Sequence, residues 1–157
     1  MSASIPDPGA REGVTHARIA GVLETCLYAT DLDAAERFYA GTLGLTVFAR
    51  EPGRHVFFRC GHAMLLVFDP SRTLDAPGAV SGVPVPPHGA TGPGHICFRV
   101  QEADLARWRT HLTEAGIAIE AEIQWPRGGT SLYLRDPAGN SVELAPSRIW
   151  GLQDTAE

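Results

Sequence analysis

The chain has 157 residues, a formal net charge of −5 and 44% hydrophobic residues. That length allows one domain, or two small units sharing a core. The acidic balance, with no Lys/Arg run, excludes a nonspecific nucleic-acid binder. No apolar run approaches the roughly 20 residues of a membrane span.

In chain order, residues 1–20 (MSASIPDPGAREGVTHARIA) offer no apolar stretch for a signal peptide and read as a flexible lead-in. Residues 21–70 form a first unit. ETCLY alternates like a strand, and Asp31-Leu32-Asp33 opens a helix with acidic residues in its first turn. Leu32, Ala35, Tyr39 and Leu43 hold helical spacing as far as Gly44, a residue suited to a left-handed C-terminus. Strand-like runs follow at Leu45–Phe48, RHVFFRC and HAMLLVFD. Residues 71–93 are rich in Pro and Gly, and the segment is expected to connect without regular structure.

Residues 94–146 repeat the first plan. HICFRV is a strand, and Glu102-Ala103-Asp104 opens a helix spaced by Leu105, Trp108, Leu112 and Ala115 that ends at Gly116. Strands are expected at Ile117–Ile123, TSLYLRD and SVELA, the last two joined by the turn composition Pro137-Ala138-Gly139-Asn140. Residues 147–157 form a tail. The fold class is therefore α+β, with two βαβββ modules. Each sheet has one face under its helix, and the other faces meet in a cup-shaped mixed β-sheet with the helices outside.

Strand alternation assigns residues to that cup. Ile96, Phe98 and Val100 should face the helix, leaving His95, Cys97 and Arg99 to face inward. The equivalent inward set in the first copy is Glu24, Cys26 and Tyr28. Glu143 lies between apolar Val142 and Leu144 and points into the same cup. Singly, a strand histidine is a common hydrogen-bonded structural residue, and a lone glutamate is commonly solvated. Together, a histidine and two carboxylates at repeat-related inward positions suit a divalent ion of Zn, Ni, Fe, Mn or Co, because unpaired buried charge is costly.

Other residues belong near the cup. Arg127, beside Trp125, can hold a substrate carboxylate or phosphate through its planar fork; the alternative is a solvated loop arginine. Ser131, Tyr133 and Arg135 alternate with Leu132 and Leu134, so they face the cup, and Tyr133 can orient a substrate or donate a proton. His88, on the connection, can act as lid, base or further ligand, or simply be an exposed loop residue. His55 and His62 flank the first module's strand pair; either can reach the cup from the first sheet, with turn and edge roles the favoured expectation. Three cysteines without CxxC spacing read as reduced thiols of a cytoplasmic protein. No GxSxG, Walker or GxGxxG motif is present.

The internal repeat, with DLDAAERFYAGTLGL, GPGHICFRV and LYLRDPAGNSVEL, resembles the vicinal oxygen chelate superfamily over roughly residues 21–146. That superfamily spans glyoxalase I, extradiol dioxygenases, fosfomycin-resistance transferases and bleomycin-binding proteins. The Asp-Pro-x-Gly-Asn turn before a Glu-bearing strand is the most specific element. The resemblance implies paired βαβββ modules, often completed across a dimer, and metal ligands at Glu24, His95 and Glu143. Glyoxalase I adds a glutamate on the last strand of the first module, where this chain has Leu65 or Leu66. Extradiol dioxygenases have two histidines and one glutamate, whereas the first position here is Glu24.

These observations lead to a metal-dependent enzyme of glyoxalase or dioxygenase type, a lyase, isomerase or dioxygenase. It would chelate adjacent oxygens of a small substrate and stabilise an enolate-like oxyanion, with Glu143 or Glu24 as base. Tyr28, Cys97, Arg99, Trp125, Arg127 and Ser131 would contact the substrate, and Tyr133 and His88 would assist catalysis. The alternative is a metal-free drug-sequestering protein of bleomycin-resistance type, stacking a planar ligand between aromatic walls. Uncovered edge strands in such small modules point to a homodimer.

Overall fold

The computed structural model describes residues 17–75 and 78–153. Most of the expected lead-in and the last four residues of the tail lie outside that range. The chain folds as two four-stranded sheets of one topology. In the first module, β1 (Glu24–Tyr28) leads into α1 (Leu32–Glu36), and β2 (Thr46–Glu51), β3 (His55–Cys60) and β4 (Ala63–Phe68) follow. The sheet order is β1-β4-β3-β2, with β1 parallel to β4 and the other pairs antiparallel. The second module has β7 (His95–Arg99), α3 (Leu105–Glu114), β8 (Ala121–Gln124), β9 (Thr130–Arg135) and β10 (Ser141–Ala145) in the matching order β7-β10-β9-β8.

Local chemistry sets the helix ends. The Asp31 carboxylate accepts the Ala34 N–H at 2.8 Å, capping α1. The helix then widens into π turns over Arg37–Thr42 that carry the adjacent, buried Phe38 and Tyr39. Both helices are followed by a left-handed glycine, Gly44 at φ 77° and Gly116 at φ 70°, as their positions in the sequence suggested.

Two expectations are corrected. The strand expected at Ile117–Ile123 begins only at Ala121, because the Ile117 N–H is still bonded to the Leu112 carbonyl of α3 at 2.8 Å. The connection expected to lack regular structure contains a short helix and a hairpin. At the start of α2 (Ser71–Leu74) the Asp69 carboxylate accepts the Ser71 N–H and hydroxyl. Strands β5 (Ala79–Val80) and β6 (Val83–Pro84) pair across Ser81-Gly82, both at positive φ as a tight two-residue hairpin turn requires.

Alternate positions of the strands build a single core. Val56, Phe58, Leu65 and Val67 of the first sheet are fully buried with Leu32 and Ala35 of α1. Leu132, Leu134, Val142 and Leu144 of the second are buried with Leu105 and Leu112 of α3, and all belong to one cluster. A buried polar clasp joins the modules. Tyr39 donates to Asp136 at 2.8 Å, and Asp136 also accepts the Ala138 and Asn140 N–H groups and the Asn140 side-chain amide. That amide also donates to the Tyr28 carbonyl, while its oxygen accepts the Gly94 N–H at 2.7 Å. The Asp-Pro-x-Gly-Asn turn thus fixes where β7 starts relative to β1. No helix among the described residues is long and apolar enough to cross a membrane.

Candidate active site

With the helix-facing positions filled, the intervening residues fall on the opposite faces of the two sheets. On the second sheet these are His95, Cys97 and Arg99 of β7, Glu143 of β10, and Ser131 and Tyr133 of β9. The register sets Glu143 directly between Cys97 and Tyr133.

Glu143 is 4% exposed, and a carboxylate so buried must be surrounded by partners. The fully buried Ser131 donates its hydroxyl proton to Oε1 of Glu143. The Trp125 indole N–H donates to Ser131 Oγ at 2.7 Å. Tyr133 and Cys97 flank Glu143 on the two neighbouring strands. Burial, reinforced by the Glu143 carboxylate, pushes each of these two groups up to about 12. Both therefore stay protonated at neutral pH: Tyr133 is a donor, and Cys97 is not a thiolate nucleophile.

His95 completes the group. Its Nδ1 lies 3.1 Å from the Ser141 carbonyl, which can only accept, so Nδ1 carries a proton. In the neutral ring the lone pair is then on Nε2, which stands 3.4 Å from Glu143 Oε2. Two acceptors that close call for a proton or a cation between them. The donor set, one imidazole and one carboxylate on rigid strands, fits a divalent transition metal as half of a centre.

Glu24 does not join that group. It is exposed at the start of β1, and among the described residues no three His, Cys, Asp or Glu side chains assemble to hold a metal. The register also settles which leucine occupies the place of the missing glutamate. Leu66 pairs with Cys26 as Glu143 pairs with Cys97, so Leu66 is the counterpart, while Leu65 faces the core.

The first sheet's inner face is aromatic. The Tyr28 hydroxyl and His88 Nδ1 are 2.8 Å apart, which brings the connection onto β1. His88 meets Phe68 edge-on, and His55 stacks on Phe57 at 4.0 Å and also touches Phe68. Tyr28 and His88 are thus together, on a different sheet from Glu143. His55 was expected in a turn or edge role; it stands on β3 with its ring on this face, and the alternation of HVFFRC was the signal for that placement. Arg127 is exposed on the turn between β8 and β9, and Arg99 is exposed on β7. Of Trp125 and Ser131, both expected at the substrate, Ser131 gives its hydroxyl proton to Glu143 and Trp125 gives its indole N–H to Ser131. Their link was not readable from the sequence, because it depends on how the turn folds back.

This architecture matches known proteins. A family model described as the Glyoxalase/Bleomycin resistance protein/Dioxygenase superfamily matches residues 18–144. The crystal structure of a lactoylglutathione lyase from Agrobacterium tumefaciens is 43% identical, with a TM-score of 0.79, covering 87% of this chain and 100% of that one. A glyoxalase/bleomycin resistance protein/dioxygenase from Nocardioides shares the fold at 20% identity and a TM-score of 0.64, covering 91% of this chain and 93% of that one. The fosfomycin resistance protein FosX from Mesorhizobium loti does so at 20% identity and 0.57, covering 83% and 94%. No curated protein sequence matches the chain. With the repeat, the paired sheets and the family model in agreement, the chain belongs to the glyoxalase/bleomycin resistance protein/dioxygenase superfamily.

Proposed function

We propose that the protein is a divalent-metal-dependent lyase or isomerase acting on a small substrate with two adjacent oxygens, and that it works as a homodimer in a reducing cytoplasm. The observation that carries this reading is the pair of His95 Nε2 and Glu143 Oε2 3.4 Å apart, with the histidine tautomer fixed from its far side by Ser141. The 43% identity to a protein named a lactoylglutathione lyase favours lyase over dioxygenase chemistry.

One chain supplies two ligands, and the third is Glu24 of a second copy. Strands β1 and β7 are both sheet edges, so a partner can align its β1 beside β7 and complete both the ladder and the cup. When bound, the metal supplies Lewis-acid polarisation of the substrate oxygens. The protein's own groups do the rest. Glu143 takes a proton from the carbon beside the substrate carbonyl. Tyr133, held protonated, donates a hydrogen bond to the developing oxyanion. The aromatic face with Tyr28 and His88 receives the substrate's apolar portion, and Arg99 and Arg127 stand where an anionic group would be met.

The test is a complementation. Glu24→Gln and Glu143→Gln chains should each lose the metal and at least about 100-fold in activity. Mixed and refolded together, they should regain about a quarter of wild-type activity, since half of the dimers then carry one intact site of two. No regain would refute the shared site, and a wild type without metal after purification free of chelators would refute the metal. A metal-free sequestering protein is the second reading, favoured by the aromatic face and by Leu66 in place of a fourth ligand.

A further inference from the structure

We infer that Trp125 is a positioning residue, which fixes the Glu143 carboxylate through Ser131 so that its second oxygen is presented to His95. The inference rests on the proposed role of Glu143 for its functional meaning, but not for its physical content.

The chain of hydrogen bonds has only one possible polarity. An indole N–H can donate and cannot accept. Its contact with Ser131 Oγ at 2.7 Å therefore occupies an acceptor position of the hydroxyl. Ser131 has a single proton to give and is fully buried, beyond the reach of water as an alternative partner. That proton goes to Glu143 Oε1. The hydroxyl rotor is fixed from one side by Trp125 and spent on the other. With Oε1 anchored, Oε2 is the oxygen left 3.4 Å from His95 Nε2.

Trp125 is itself held by a built turn. Its carbonyl accepts the Gly128 N–H at 2.8 Å, and its own N–H donates to the Gly129 carbonyl at 3.0 Å. Gly128 and Gly129 both have φ of 91°, where a side chain is strained. A Cβ on Gly129 would also come within 2.9 Å of Ile149 and 3.0 Å of Pro146. The turn thus lies against the segment that follows β10, the strand carrying Glu143, and two glycines permit that approach. Trp125 remains 37% exposed, so it connects the surface of the turn with a buried carboxylate.

Two readouts test the relay. The first needs no metal. The indole N–H resonance of Trp125, assigned by its loss in Trp125→Phe, should move upfield in Ser131→Ala and should also shift in Glu143→Gln. The second is Co²⁺ affinity by titration calorimetry. Trp125→Phe should weaken it about 10-fold and Ser131→Ala up to about 100-fold, with recovery in Ser131→Thr. The double variant should bind no worse than Ser131→Ala alone, because the two act in series. An indole resonance unmoved in both variants would overturn the relay, as would Trp125→Phe binding Co²⁺ like the wild type. If the wild type binds no Co²⁺, the metal reading fails and the indole resonance alone decides the relay.

Discussion

Aligned by register, the two sheets pair Cys26, Leu66 and Phe57 of the first with Cys97, Glu143 and Tyr133 of the second. Their helix-facing sides are interchangeable in character: aliphatic residues with Phe58 on one, aliphatic residues with Phe98 on the other. Their inner sides are not. The second sheet holds a carboxylate inside a web of donors, and the first holds stacked rings around a leucine. The difference shows where a repeated fold is constrained. The ladder satisfies the backbone whatever the side chains are, and the shared core demands apolar residues on one face only. The opposite face is free to diverge, and here one module carries polar chemistry while the other offers apolar contact.

The strongest way to break this comparison is to make the sheets alike. Leu66→Glu places a carboxylate where Glu143 stands in the second sheet, but without the donors. Leu66 is 8% exposed, between Cys26 and Phe57. The variant should lose roughly 3–5 kcal/mol of stability in denaturant titration, the cost of burying an unpaired charge. A cost near zero would mean that the first sheet's inner face is more solvated than its burial states.

The modules also differ at their last turns. The first crosses from β3 to β4 through Gly61-His62, and the second through the clasp of Asp136 and Asn140. Asp136→Ala removes an acceptor that serves Tyr39, Ala138 and Asn140 at once, leaving buried donors unpaired. A loss of about 3 kcal/mol is expected, read as a shift in the unfolding midpoint. Tyr39→Phe in the same background should add little further loss, since its hydroxyl has already lost its partner.

The smallest effect concerns His55, which stands on the aromatic sheet. Burial lowers its ionisation and Arg54 adds to that, opposed by Glu51 at 3.8 Å. Its Nδ1 is buried without a hydrogen-bond partner, which suits a neutral ring. A histidine whose folded value is depressed binds its proton more readily when unfolded. Its contribution to stability is therefore full above the ordinary histidine range and is lost as pH falls through about 6.5 towards the lower folded value. His55→Gln should flatten the decline in stability between about pH 7 and 5 by a fraction of a kcal/mol relative to wild type. An unchanged slope would show that the ring protonates freely in the folded protein.

Much of the fold was legible because it is written in local periods. The alternation of HICFRV, TSLYLRD and SVELA divided core from inner face, and Gly44 and Gly116 marked the helix ends. The late start of β8 was hidden because Ile117 looks strand-like yet serves the end of α3. In the site, the inward phase of His95, Tyr133 and Glu143 was legible, since side-chain direction follows from counting by two. The sequence by itself determined that phase, the repeat and the turn that carries Asp136 and Asn140. Tertiary structure alone decided the partners: Tyr39 with Asp136, Tyr28 with His88, Trp125 through Ser131 with Glu143, and Glu24 apart from them all. The physical reason is that phase is set within a few residues of backbone, whereas a hydrogen bond between distant residues depends on register, turn geometry and packing, which no local period encodes.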